Sequence, residues 1–148
     1  MVDVDRLHEM VAYVYLTADK GLFVNPQYPL HIGGKQRYAD FLALCPAGKK
    51  IWIVEVTRSK TGREIMAKCA QYKDAFPEIR QSLGSLMPPD WNLGAWLFLR
   101  DSTMKAVQEL KPSLDGIDLR FESIERAVSV WEWLRVDGNS RADVLVGA

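Results

Sequence analysis

Residues 37–60, RYADFLALCPAGKKIWIVEVTRSK, decide how this chain folds. They read as two strands joined by a tight turn. Tyr38 to Cys45 is the first strand, and Ile51 to Thr57, rich in Ile, Val and Trp, is the second. Pro46-Ala47-Gly48-Lys49 supplies the turn, with Pro and Gly as punctuation. Each strand carries one carboxylate among apolar neighbours, Asp40 in the first and Glu55 in the second. An ionised carboxylate is costly to bury without a partner. Either the two face water or something positive sits between them.

Strand geometry brings them together. Side chains two apart share a face, so Ile51, Ile53, Glu55 and Thr57 point one way. Trp52, Val54 and Val56 point the other. Counting out from the turn sets Asp40 opposite Glu55, where facing Cβ atoms lie within about 5 Å. Two oxygens there suit Mg²⁺, which takes one or two carboxylates and keeps several waters. The alternative is a frayed strand start at Asp40, with Glu55 paired to Arg37 or Arg58.

These residues resemble the PD-(D/E)XK nuclease superfamily. Its signature is an Asp near the start of one strand and (Asp/Glu)-x-Lys on the next. Asp40 stands at the first position, after Ala39 where the family often has Pro, and Glu55 stands at the second. Arg37 also looks like the family. Thr57 departs from it, standing where the family has Lys. The resemblance covers roughly Val4 to Leu99. It implies an α/β, restriction-endonuclease-like core of helix, three strands, helix and strand on a mixed sheet. A C-terminal helix-strand-helix addition would follow. Residues 1–140 would form one nuclease-like domain and 141–148 a C-terminal tail.

The rest of the chain supplies those elements in order. Asp3 to Asp19 reads as a helix with Leu7, Met10, Val11, Val14 and Ala18 as its apolar stripe. Gly21 stops it. Leu22 to Leu30 reads as a strand that Pro26 and Pro29 confine to an edge. His31 to Gln36, with Gly33-Gly34, reads as a loop. Lys60 to Phe76 reads as a second helix, capped by Ser59 or Thr61. Its stripe is Ile65, Cys69, Tyr72 and Phe76, and Pro77 ends or kinks it. Glu78 to Met87 reads as a short continuation. Trp91 to Leu99 is an apolar strand suited to burial on both faces. Thr103 to Leu110 is a helix, Ile117 to Phe121 a short strand, and Ile124 to Val136 a last helix. Trp133 on that helix touches either a partner subunit or a second layer.

Composition sets the outer bounds. A chain of 148 residues has room for one domain and a core that needs no staples. Two cysteines, Cys45 and Cys69, form no CxxC pair, which argues against zinc and fits reduced thiols in the cytoplasm. MVDVDRLHEM lacks the basic-then-apolar pattern of a signal peptide, and no apolar run reaches membrane-spanning length. The expectation is a cytoplasmic protein with no membrane partner. The formal net charge of +0 is unlike a general nucleic-acid binder. Yet Lys49, Lys50, Arg58, Lys60, Arg63, Lys68 and Lys73 crowd one stretch, either as a phosphate-binding face or as a solvated helix face plus a charged turn.

The resemblance implies metal-dependent hydrolysis of phosphodiester bonds in nucleic acid, DNA first. Asp40 and Glu55 would hold Mg²⁺ (or Mn²⁺), with Glu9 of the first helix as a third candidate. Gln71 is a further site candidate by its place on the second helix. Arg37, Arg58, Lys60 and Arg63 are the candidates for contact with the nucleic acid. The family's Lys supplies positive charge on the Glu face; the Thr57 hydroxyl is neutral and short. Lys60 is placed to substitute for it. A homodimer would let two sites cut two strands. The competing expectation is a catalytically degenerate nuclease-like domain that binds nucleic acid or a protein partner.

Overall fold

The computed structural model describes residues 4–57, 61–110 and 118–129. Trp133 and the tail lie outside the described residues, as do Arg58, Ser59 and Lys60. The fold is α/β, built on a five-stranded mixed sheet in the order β1-β2-β3-β4-β5. The strands are β1 (Phe23–Ile32), β2 (Lys35–Cys45), β3 (Lys50–Val56), β4 (Asn92–Leu99) and β5 (Asp118–Ser123). Neighbours β1, β2 and β3 pair antiparallel, whereas β3–β4 and β4–β5 pair parallel.

Helix α1 (Val4–Val14) runs on into a π-helical turn at Tyr15–Asp19 and covers one face of the sheet. Helices α2 (Gly62–Leu83) and α3 (Asp101–Leu110) cover the other. The two-residue period of β3 explains the split. Trp52 and Val54 pack under α1 with Trp96 and Phe98, while Ile51 and Ile53 pack under α2 with Tyr72 and Ile79. A helical segment at residues 124–129 adds Ile124 and Ala127 to the α1 side.

Several boundaries differ from the sequence reading. The stretch 31–36 is no loop: β1 pairs with β2 out to Ile32 and Lys35. Gly33 and Gly34, with φ of 60° and 76°, make the two-residue turn that needs positive φ at both centres. The buried face of α1 and its π-helical turn is Val11, Ala12, Tyr15 and Leu16, while Leu7 and Met10 are exposed. Those four residues keep helical spacing, but Ala and Tyr made the face look less apolar than 7, 10 and 14. Helix α2 passes straight through Pro77, so the two segments predicted there are one helix. Pro77 is exposed and Tyr72, Ala75, Ile79 and Leu83 are buried on either side of it. Packing of that continuous face offsets the interior-proline cost of about 3 kcal/mol. Thr61 is the cap, its Oγ1 accepting the Glu64 N–H at 3.4 Å. The Cys69 side chain lies outside the described residues.

Candidate active site

The register of β2 and β3 runs from Cys45 opposite Lys50 to Phe41 opposite Val54. One step further lie Asp40 and Glu55, at the strand ends away from the hairpin turn. The regular ladder stops before them. Asp40 takes over with its side chain: Oδ2 accepts the Val56 N–H at 2.7 Å. The interruption has a counterpart in β1. Gln27, facing Asp40 in the register, has φ of 51° and pairs with nothing in the ladder. That local distortion breaks the alternation of β2. Ala39 packs on the α2 side and Phe41 on the α1 side, although they are two residues apart.

Glu55 is 7% exposed, on the α2 side with Ile51 and Ile53. Its Oε1 accepts a hydrogen bond from the Tyr72 hydroxyl of α2. A buried carboxylate requires such donors, and bonds to charged groups are worth roughly 1.5–3 kcal/mol. Beside it is a cavity of about 150 Å³ lined by Leu30, Arg37, Tyr38, Ala39, Glu55, Gln71 and Tyr72. Three residues singled out in the sequence, Arg37, Glu55 and Gln71, therefore meet in one place. Tyr38 joins them as an unpredicted wall residue. No periodicity could have shown it, because the distortion at Asp40 turns that part of β2.

Other candidates sit elsewhere. Glu9 lines a separate hollow on the α1 side with Arg6, Met10, Tyr13, Val14 and Phe41. Arg63 is exposed in the first turn of α2 and does not line the Glu55 cavity. Thr57 follows β3 and its N–H donates to the Phe98 carbonyl at 3.1 Å. Two of the lysines that crowd together in sequence lie away from the site. Lys49 and Lys50 are at the hairpin end, about 16 Å along β3 from Glu55, and pair with Asp90 and Asp118.

Two carboxylates on adjacent strand ends fit an ion that needs one or two protein carboxylates and keeps its waters, as Mg²⁺ does. Among the described residues no group of three or more His, Cys, Asp or Glu is placed to form a richer cage. No model of a known protein family matches the sequence, and comparison with curated proteins finds no significant match. Among the described residues, no helix is long and apolar enough to cross a membrane.

Proposed function

We propose that this chain is a metal-dependent nuclease of the PD-(D/E)XK type, hydrolysing phosphodiester bonds in DNA. The observation that carries the reading is the meeting of Glu55, Arg37 and Gln71 at one cavity, beside the strand end where Asp40 is anchored. The element order supports it too: helix, three strands, helix, strand, with a further helix and strand behind. That is the restriction-endonuclease-like order the sequence motif implies.

Asp40 and Glu55 are the residues that would hold Mg²⁺ or Mn²⁺. Such an ion, when bound, supplies a water of lowered pKa and charge to offset that building on the phosphate. The protein's own part is positioning. Tyr72 fixes the Glu55 carboxylate, and the Val56 N–H fixes that of Asp40. Arg37 offers the scissile phosphate a planar, permanently charged donor. Gln71 brings an amide that can donate to a phosphate oxygen or accept from a water. Lys60 would supply the cation that Thr57 does not.

Thr57 favours a second reading. The hydrogen bonding between β3 and β4 continues to its N–H, and strand alternation carried one residue past Val56 would return position 57 to the Glu55 side. A neutral hydroxyl there is what a non-cleaving, nucleic-acid-binding or protein-binding domain would show. The test is cleavage of a plasmid and of a labelled single strand with Mg²⁺ or Mn²⁺, comparing wild type with Glu55→Ala purified identically. Cleavage of either substrate lost in the variant supports the nuclease. No cleavage of either substrate by either protein supports the binding domain. Equal cleavage by both proteins refutes a site at Glu55.

A further inference from the structure

We propose that the substrate reaches this cavity as an unpaired strand, with a nucleobase stacked on Tyr38 and the adjoining phosphate on Arg37. The inference rests on the nuclease reading and adds the substrate class. Tyr38 is 58% exposed, although the next residue, Ala39, is 1% exposed. It forms part of the cavity wall with Arg37 and Glu55. Its hydroxyl accepts a hydrogen bond from Gln36 Nε2 at 3.1 Å, which steadies one end of the ring. An aromatic face beside a guanidinium is the pairing that holds single strands, because every base has a face to stack.

Size argues the same way. Pockets that swallow whole ligands run to several hundred Å³. A cavity of about 150 Å³ takes a phosphodiester and a sugar edge, so the base must rest at its rim, against the exposed wall residue Tyr38. Charge also agrees. Duplex binding without base contacts draws on many lysines and arginines laid along phosphates. Here the formal net charge is +0, and several described cations are engaged within the protein. Lys49 pairs with Asp90 and Lys50 with Asp118. Arg80 donates to the Pro89 and Trp91 carbonyls, and Arg120 stacks on Trp96 beside Glu122. Single-strand binding also draws on positive charge, supplied here by Arg37, but adds roughly five- to a hundredfold in affinity per stacked base, which a base held in a duplex cannot give.

The experiment is fluorescence anisotropy of a short labelled DNA strand, alone and annealed to its complement, with Ca²⁺ as the divalent ion. Wild type, Tyr38→Ala and Tyr38→Phe are compared, and plasmid nicking with Mg²⁺ is run in parallel. The expected result is about tenfold or greater preference for the single strand. Tyr38→Ala should weaken that binding roughly five- to a hundredfold, and Tyr38→Phe by about twofold at most. Equal or tighter duplex binding, or a silent Tyr38→Ala, overturns the stacking inference; nicking by wild type would leave the nuclease reading standing. No binding of either form together with no nicking overturns both.

Discussion

The phenol of Tyr72 on α2 donates its hydrogen bond to Oε1 of Glu55 on β3, tying the long helix to the strand that carries the buried carboxylate. Removing the hydroxyl takes one hydrogen bond from a carboxylate that is 7% exposed. Tyr72→Phe should therefore destabilise the fold by about 1–3 kcal/mol. Urea unfolding would read this as a lowered midpoint with unchanged slope. If Tyr72 also positions Glu55 for catalysis, nicking should fall by more than the loss of folded protein explains.

Glu55→Gln separates charge from shape. The amide oxygen can still accept from Tyr72, and the cost of keeping a charge in a nearly closed site disappears. Stability should stay the same or rise, while nicking is lost. Thermal unfolding and plasmid nicking on one preparation check both halves. A variant that is markedly less stable would mean that the Glu55 charge holds the fold.

The strand hairpin was legible because burial on both sides imposed a strict two-residue period on Ile51, Trp52, Ile53 and Val54, each of which lies on the side the alternation predicts. The register of β2 on β3 followed from counting across one tight turn and holds from Cys45–Lys50 to Phe41–Val54, one step short of Asp40 and Glu55. What the sequence hid depends on tertiary packing. Pro77 looks like a helix end because only the core on both sides of it favours continuation. Lys49 and Lys50, near Glu55 in sequence, lie far from it because a strand carries its two ends apart. Tyr38 looked like an ordinary strand residue because the distortion at Gln27 and Asp40 leaves no mark in composition.

Gly94 is a fold position with a sharp test. A Cβ there would sit 2.7 and 2.8 Å from two ring carbons of Trp52 and 2.9 Å from the Asp118 carbonyl oxygen. Trp52 has little room to yield, with Trp96 at 5.4 Å between ring centroids and Lys50 Nζ 4.7 Å from the ring. Gly94→Ala should cost about 1–3 kcal/mol by overpacking, read from the urea midpoint. An unchanged midpoint would mean that Trp52 shifts freely.

Tyr15 contributes to stability at the alkaline edge. Burial, then the charge of Glu122 and a hydrogen bond to it, push its pKa from 10.0 up to about 12. The neutral phenol is favoured in the folded state. Its contribution is complete below pH 10 and is lost as pH rises to 12. Wild type should lose stability across that window, and Tyr15→Phe should lose less. Thermal midpoints of both proteins at stepped alkaline pH check this; parallel curves would clear Tyr15 of the role.

If the chain is the nuclease proposed above, position 57 and Lys60 are where its cutting is decided. The family's lysine sits two residues after the Glu so that strand alternation returns its charge to the same face. Removing one preorganised charge of this kind costs about a hundred- to a thousandfold in rate. If Lys60 supplies it, Lys60→Ala should lower nicking by that factor. Adding Thr57→Lys in the same chain should restore most of it, because the charge then comes from the strand itself. Rescue of this kind needs chemistry at Glu55, which a change in folding alone would not give. If Lys60→Ala nicks like wild type, the cation comes from elsewhere. If wild type is silent and Thr57→Lys nicks, the chain is a nuclease scaffold whose cleavage was lost at position 57.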